Sequence, residues 1–284
     1  MDWEVNAYLR FAKERARPSL DLLHGIRLRG LAPKRILDLG CGSGLSTGLL
    51  ANTFPAAYIL GVDKSPSMLE KARATYENLD FRFCDLSSGL GELDGGTSKF
   101  DLIFSNACLH WIPNHGALIK DLSSLLVKGG ILAVQVPLID KAIVHSISKN
   151  LASQAPWIDR LGRVEGLSSL GGEEYFDLLV NSYEEIEIWE STYLDERASY
   201  EEIIDWYASA GLRPYLNALE NQEDALRQPG GKEAAPGVKE DAKGGVAKEF
   251  CLELLALLEA SLPRRPSGRI LLPIPRIFFI AKAF

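Results

Sequence analysis

The chain has 284 residues, of which 46% are hydrophobic and 24% charged, and its formal net charge at pH 7 is −7. This length and composition predict a globular protein with a sizeable buried core. The acidic balance disfavours a nucleic-acid partner, because contact with phosphates usually requires a basic surface.

The first 30 residues predict a helical segment that covers the functional site. Val5, Tyr8 and Ala12 fall on one side of a helical pattern, and Pro18 marks the start of a second helix. We therefore expect two short helices before the first strand.

Strands and helices alternate through residues 31–137. The predicted strands are 34–39, 57–62, 80–84, 99–104 and 130–136, and the predicted helices are 45–53, 66–77 and 115–126. Alternation of this kind requires parallel strands joined by right-handed crossovers. The sequence therefore predicts an α/β fold with a doubly wound, Rossmann-like, mostly parallel sheet. Such sheets bind ligands beyond the carboxyl ends of their strands.

The pattern changes after Pro137. Residues 138–182 predict a helical insertion, and residues 183–284 predict the final strands with a helical cap at about 195–267. The last strand, 269–281, is expected to pair with 184–193 and to be antiparallel in the sheet. Residues 221–248 are rich in Gly, Pro, Lys and Glu and contain no aromatic residue, so they predict a mobile surface loop.

The sequence predicts neither a membrane anchor nor a metal site. No apolar run approaches the ~20 residues of a membrane span, and the N-terminal residues lack the basic and apolar regions of a signal peptide. The four cysteines form no Cys-x-x-Cys pair. We expect a cytoplasmic protein that is a monomer or a weak dimer.

A glycine-rich turn follows the first predicted strand. It reads Asp38-Leu-Gly40-Cys-Gly42-Ser-Gly44, and glycines there let the backbone approach a ligand where a Cβ would clash. Asp63 ends the second strand, 25 residues after Asp38 (63 − 38), near the offset at which an acidic residue binds a ribose. Together these features predict a nucleoside ligand.

The glycine spacing distinguishes two classes of nucleoside cofactor. A dinucleotide fingerprint that starts at Gly40 would need a glycine at position 45, which is Leu45. The observed Asp-x-Gly-x-Gly-x-Gly pattern resembles the first motif of class I S-adenosylmethionine methyltransferases, whose cofactor presents an amino-acid end instead of a phosphate. Asp38 suits a ligand that carries an ammonium group. S-adenosylmethionine is therefore the predicted cofactor, and a glycine turn without a ligand is the alternative.

Three more residues near the strand ends belong to the predicted cofactor site. Asp85 closes the third strand, where its carboxylate could accept a hydrogen bond from an adenine amino group while the Leu86 backbone N–H donates to the ring. Asp85 could equally be only a turn former. Lys64, which follows Asp63, is included in the cofactor set.

The fourth strand leads into Asn106-Ala-Cys-Leu-His110-Trp111. Asn106 is predicted to contact both cofactor and substrate, and Trp111 to form a wall of the pocket. His110 is either a general base, since its usual pKa suits proton removal near neutrality, or a buried histidine that packs against the cofactor.

Five segments carry a more specific resemblance. They are 8–18 (Tyr-Leu-Arg-Phe-Ala-Lys-Glu-Arg-Ala-Arg-Pro), 106–111, 204–206 (Ile-Asp-Trp), 211–214 (Gly-Leu-Arg-Pro) and 275–278 (Pro-Arg-Ile-Phe). With them the chain resembles the trans-aconitate methyltransferase family along nearly its whole length. The resemblance implies an enzyme that esterifies one carboxylate of a small tricarboxylic acid. The chain departs from the family at His110, where glutamine is usual, at Val136–Ile139, which replaces a more polar turn, and in the longer loop.

A carboxylate substrate agrees with what the chemistry needs. A carboxyl group with a pKa near 4 is already ionised at pH 7, so no general base is required. The remaining carboxylates need cations, and planar arginine side chains suit them best. The predicted substrate-binding residues are Tyr8, Arg15, Arg17, Trp111, Trp206, Arg213 and Arg276.

The sequence leaves two alternatives open. In the first, the enzyme methylates another small acid or a secondary metabolite, such as a malonyl thioester, or a phenol or hydroxyl with His110 as the base. In the second, the fold binds the cofactor but catalyses a non-methylating step or serves as a binding protein.

Overall fold

A computed structural model describes residues 10–90, 93, 99–162, 164, 167, 169–227 and 245–284. The chain divides into two compact units. The first comprises Met1–Leu138, Leu167–Thr192 and Pro275–Phe284, and the second comprises Ile139–Gly166 and Tyr193–Ile274.

Seven strands form one mixed sheet. They are β1 (Arg35–Leu39), β2 (Tyr58–Asp63), β3 (Asp80–Phe83), β4 (Phe100–Asn106), β5 (Leu126–Pro137), β6 (Tyr183–Arg197) and β7 (Ile270–Ala283). Their order is β3-β2-β1-β4-β5-β7-β6, with β1 to β5 parallel and β7 antiparallel to β5. The predicted doubly wound sheet with an antiparallel last strand is confirmed.

Five α-helices are described in the first unit, the first of them before β1. They are α1 (Ala12–Leu28), α2 (Leu45–Thr53), α3 (Pro66–Thr75), α4 (His115–Leu125) and α7 (Gly172–Leu179). Ser65 caps α3, because its hydroxyl accepts from the Met68 backbone N–H, and Pro66 occupies the first turn, where its missing N–H costs nothing. Among the described residues, no helix has the length and apolarity needed to cross a membrane.

One face of the sheet carries the polar residues of interest, and we call it the site face. Asp38 pairs in register with Phe104, Asn106 with Gln135, and Gln135 with Phe278. Because paired residues share a face and side chains alternate along a strand, these five side chains lie on the same face. The opposite face is apolar, since Leu37, Ile103 and Leu132 belong to a large core with α4 and α7.

Helices α1 and α2 both pack on the site face. Side chains of α2 donate hydrogen bonds to Asp38. Gly25 of α1 faces Ile280 and Trp189, since a Cβ there would lie 3.0 Å and 3.5 Å from them. A short segment, 29–34, joins α1 to β1, so α1 runs back across the sheet and its first turns lie toward the carboxyl ends of the strands.

The second unit is mainly helical. Its helices are α5 (Ile143–Ala152), α6 (Trp157–Leu161), α8 (Tyr200–Ala208), α9 (Arg213–Arg227) and α10 (Val246–Ser261). Trp157 packs edge-on against Phe250 with the ring centroids 5.0 Å apart, and its indole N–H donates to Glu253. This aromatic pair gives the unit a core of its own.

Several predicted boundaries differ from the structure. The break at Pro18 was wrong: α1 continues through Pro18, whose ring is buried, and the helix gives up only the hydrogen bond that its missing N–H would have made. The prediction of a loop over the whole of 221–248 was wrong at both ends, because α9 extends to Arg227 and α10 starts at Val246. Residues 228–244 lie outside the described part of the chain.

Candidate active site

The glycine-rich turn is anchored to the end of β2. The backbone N–H groups of Gly40 and Cys41 both donate to the Val62 carbonyl, at 2.8 Å and 3.0 Å. A Cβ on Gly40 would clash with the Cys108 side chain, so the turn lies directly against the segment after β4. The predicted strand–turn–helix geometry of the motif is therefore present.

Gly42 is the half-buried glycine of this turn that faces open space. Its φ is +53°, a conformation that strains any residue with a Cβ, and a Cβ there would meet nothing within 4 Å. Gly40 is therefore required by packing within the protein. Gly42 instead presents bare backbone to open space, where a ligand can approach.

Asp63 joins the turn to the start of α3. Its Oδ2 accepts from the Gly42 N–H at 2.9 Å, and its Oδ1 accepts from the Ser65 N–H at 2.8 Å. Burial raises the pKa of Asp63, and hydrogen bonds from the backbone of Ser65, Gly42 and Lys64 oppose that shift. An ionised carboxylate offers about four acceptor positions, so it retains capacity for ribose hydroxyls. Lys64 itself is exposed.

Asp38 is completely buried beneath α2. Its Oδ2 accepts from the hydroxyls of Ser46 and Thr47, each at 2.7 Å, whereas its Oδ1 has no hydrogen-bond partner among the described residues. Burial raises the pKa of Asp38 from 3.8 to about 7. An ammonium group would satisfy the carboxylate and favour its charged form. The residue therefore fits the amino-acid end of the predicted cofactor.

Asp85 forms a tight turn after β3. Its Oδ1 accepts from both the backbone N–H and the hydroxyl of Ser87, at 3.0 Å and 2.6 Å, and these bonds lower the pKa of Asp85. Asp85 therefore does form a turn, as the alternative interpretation of the sequence predicted. The half-buried Leu86 packs against the apolar core. Contacts of Asp85 and Leu86 with adenine stay a prediction.

A 3-10 turn, Leu109–Trp111, follows β4 and carries two of the predicted catalytic residues. His110 is buried at 6% exposure, and its ring lies 5.3 Å from the half-buried ring of Trp111. His115 holds this turn, because its Nε2 lies 2.9 Å from the Leu109 carbonyl oxygen while its Nδ1 lies 3.0 Å from the Tyr175 hydroxyl. Burial lowers the pKa of His115 and so favours a neutral ring, in which Nε2–H donates to the Leu109 carbonyl and Nδ1 accepts from the Tyr175 hydroxyl.

Arg276 extends the site face at the carboxyl edge of β5. Arg276 is on β7, where it pairs with Pro137 of β5 and precedes Phe278 by two residues, so it lies on the site face. Its side chain is only 9% exposed. Arg15 and Arg17 occupy the first turns of α1, where Arg15 is half-buried and Arg17 exposed. The first unit therefore carries two predicted arginines that are at least half-buried, Arg276 on the site face and Arg15 on α1, whereas Arg17 is exposed. Tyr8 lies outside the described residues.

The other two predicted substrate residues belong to the second unit. Trp206 on α8 is 8% exposed, and the Arg197 guanidinium lies 5.5 Å from its ring centroid. Arg197 also forms ion pairs with Asp195 and Glu202. Trp206 thus has a packing role in its own unit. Arg213 begins α9, and its backbone N–H donates to the Ala210 carbonyl.

The sequence patterns did not single out Gln135. It lies within β5 between apolar neighbours, in Ile131-Leu-Ala-Val-Gln135-Val136, and is completely buried. The signal was a lone polar residue inside a continuously apolar strand, which usually marks either a hydrogen-bonded core group or a binding residue.

A family model described as a methyltransferase domain matches residues 32–183. The curated trans-aconitate 2-methyltransferase of Methylobacterium radiotolerans is 34% identical over 285 residues, covering 99% of this chain and 98% of that protein. The protein of the same name from Escherichia coli is 35% identical over 282 residues, with the same coverage.

Solved structures share the fold at much lower identity. Phosphoethanolamine N-methyltransferase 2 of Haemonchus contortus, in complex with S-adenosyl-L-methionine, has a TM-score of 0.56 at 15% identity. That comparison covers 99% of this chain and 57% of the other. A putative sarcosine dimethylglycine methyltransferase from Galdieria sulphuraria has a TM-score of 0.52 at 15% identity, covering 94% of this chain and 86% of the other.

Proposed function

We propose, given that the chain belongs to the trans-aconitate methyltransferase family, that it transfers a methyl group to one carboxylate of trans-aconitate. The observation that carries this proposal is the relationship to trans-aconitate 2-methyltransferases along 99% of the chain. Dependence on S-adenosylmethionine follows from the family, and the residues of the first unit fit that cofactor.

The fit of the cofactor rests on three residues of the first unit. Gly42 presents bare backbone to open space, Asp63 retains acceptor capacity beside it, and Asp38 has a buried carboxylate oxygen without a partner in the described structure. When bound, S-adenosylmethionine supplies a methyl group on a positively charged sulfur. Asp38 would hold its ammonium group and Asp63 its ribose hydroxyls.

An anionic substrate is supported by the predicted arginines of the first unit. Arg276 is almost completely buried at the carboxyl edge of the sheet, where open α/β sheets bind ligands. The planar guanidinium fork of an arginine suits a carboxylate. We propose that Arg276, with Arg15 and Arg17, binds the carboxylates that are not methylated. Arg213, Trp206 and Tyr8 remain predictions from the sequence.

The proposed reaction needs no proton transfer from the acceptor. A carboxylate is ionised at pH 7, so this chain has to orient one oxygen and exclude water. Asn106 and Trp111 are the proposed orienting residues at the end of β4. His110 is buried against Trp111, which supports a packing role for its ring.

Turnover as a function of pH tests this proposal. At saturating S-adenosylmethionine, where the bound ammonium group would hold Asp38 in its charged form, we expect kcat/KM for trans-aconitate to show no dependence on a group with a histidine pKa, and His110→Ala to retain most of the activity. Methylation of a phenol or hydroxyl compound that is abolished in His110→Ala would instead support the general-base alternative.

A further inference from the structure

Gln135 is the buried polar group that the proposed function leaves unexplained. Its side chain is 0% exposed, and neither Oε1 nor Nε2 has a hydrogen-bond partner among the described residues. Burying an amide without partners is strongly unfavourable, and most buried polar side chains in folded proteins are hydrogen-bonded. An apolar side chain of the same size would pack better in this apolar strand. The presence of an amide therefore indicates that a ligand forms the missing hydrogen bonds.

The surroundings of Gln135 point to the same edge of the sheet as the cofactor residues. Asn106, its register partner on β4, has a buried Oδ1 that also lacks a hydrogen-bond partner in the described part of the chain. On the other side, Gln135 pairs with Phe278, and Arg276 follows on the same face. The site face thus presents two neutral carboxamides on β4 and β5 and a cation on β7.

Gln135 lies next to half-buried residues of the first unit. Asn106 and Trp111 are half-buried, and Gln135 lies on the adjacent strand β5, in register with Asn106. A small ligand that reaches Asn106 would therefore have its inner end at the Gln135 amide.

We propose that Gln135 binds the carboxylate that is methylated, by donating an N–H of its side-chain amide to one oxygen. This inference rests on the proposed function and deepens it. A neutral donor orients the reacting carboxylate without the strong charge withdrawal of an arginine, so the other oxygen keeps its negative charge for attack. The arginine on β7 then binds a carboxylate that does not react. On the site face, the neutral Gln135 amide would thus contact the carboxylate that is methylated, and the Arg276 cation would contact a carboxylate that is not.

Three variants test the role of Gln135. Gln135→Met has a similar volume and no hydrogen-bonding groups. Gln135→Glu keeps the shape but replaces the donor with a carboxylate. The same change at an exposed glutamine, Gln154→Met, is the matched control. Binding of trans-aconitate is measured by calorimetry in the presence of saturating S-adenosylhomocysteine, together with the affinity for S-adenosylhomocysteine and the thermal melting temperature.

Loss of one hydrogen bond to a charged group should weaken trans-aconitate binding about 10- to 100-fold in Gln135→Met. Affinity for S-adenosylhomocysteine should stay within about twofold, and the melting temperature without ligands should be unchanged or higher, because the variant removes an unsatisfied buried amide. Gln135→Glu should bind trans-aconitate poorly at pH 8 and recover as the pH falls, because a protonated carboxyl regains a donor.

Two results would overturn this inference. One is parent-like binding of trans-aconitate by Gln135→Met. The other is a lower melting temperature together with equal losses of cofactor and substrate affinity, which would indicate a structural amide. If Gln135→Met does not fold, the absence of recovery at low pH in Gln135→Glu decides against the proposal. A parent protein that binds no trans-aconitate would instead contradict the proposed function itself.

Discussion

The Asp63 carboxylate accepts a hydrogen bond from the Gly42 backbone N–H at 2.9 Å, across 21 residues of sequence. One carboxylate therefore both orders the glycine-rich turn and offers further acceptor positions at the edge where a nucleoside would lie. We therefore expect cofactor affinity and the order of the turn to be coupled through this side chain.

Asp63→Ala should reduce affinity for S-adenosylhomocysteine by about 10- to 150-fold, because charge-assisted hydrogen bonds are worth about 1.5–3 kcal/mol each. Calorimetric titration measures this loss. Asp80→Ala, which removes an exposed carboxylate at the start of β3, serves as the control and should bind as the parent does. Equal affinity in the two variants would remove Asp63 from the cofactor site.

Gly42→Ala, compared with Gly30→Ala, should separate the effect of a Cβ on cofactor binding from the effect of backbone strain. Gly42 and Gly30 both have positive φ, +53° and +66°, and neither would place a Cβ within 4 Å of another group. Both alanine variants should therefore lose about 1–2 kcal/mol of stability. In addition, Gly42→Ala should weaken S-adenosylhomocysteine binding at least tenfold, since its Cβ enters the proposed ligand space. Parallel losses of affinity, or none in either variant, would contradict this placement.

Asp38→Asn should change how stability depends on pH. The pKa of Asp38 is about 7 in the folded protein and near 3.8 in the unfolded chain. The folded state therefore binds more protons between these values, so the carboxyl lowers the free energy of unfolding as pH rises from about 4 to 7. The asparagine variant lacks this titration, so its stability relative to the parent should increase over that window, by at most about 4 kcal/mol.

Urea denaturation at pH 5 and pH 8 measures this difference for the ligand-free protein. The same comparison with saturating S-adenosylhomocysteine should reverse in favour of the parent, because the ammonium group would then stabilise the Asp38 carboxylate. Stability curves that run parallel at the two pH values would show that the Asp38 carboxyl is not shifted.

Arg276→Ala should lower kcat/KM for trans-aconitate by 100-fold or more, because the substrate carboxylate would lose a buried, charge-assisted partner. Arg276→Lys should recover only part of the activity, since an ammonium cannot form the bidentate contact. The control is Arg269→Ala, which removes an exposed arginine paired with Glu196 just before β7. Cofactor affinity should be unchanged in all three variants. An Arg276→Ala enzyme with parent-like kcat/KM would rule out this carboxylate contact.

Most of the fold could be predicted from local patterns. The strand that precedes Gly40 and the Ser65-Pro66 start of α3 both depend on residues adjacent in sequence, so their signals survive without tertiary information. Pro18 misled the prediction because the rule that proline starts a helix ignores burial. Tertiary packing of α1 on the site face outweighs the single lost hydrogen bond.

The candidate site was harder to predict where it depends on strand register. Asp38 and Asp63 belong to a motif and could be found from spacing, whereas Gln135 has no motif and becomes informative only through its pairing with Asn106 and Phe278. The burial of Trp206 under Arg197 likewise arises from a contact between separate segments. Periodicity reports which residues are buried, but not which polar atoms are left without partners.

The most direct test of the account is incubation of the protein with methyl-labelled S-adenosylmethionine and, in parallel, trans-aconitate, other di- and tricarboxylates, and neutral phenols. Product masses and base lability are then determined. We predict a labelled monomethyl ester of trans-aconitate that base hydrolyses, slower reaction with acids that have fewer carboxylates, and no phenol ether. Label in a phenol or hydroxyl compound, with none in any carboxylic acid, would contradict the account.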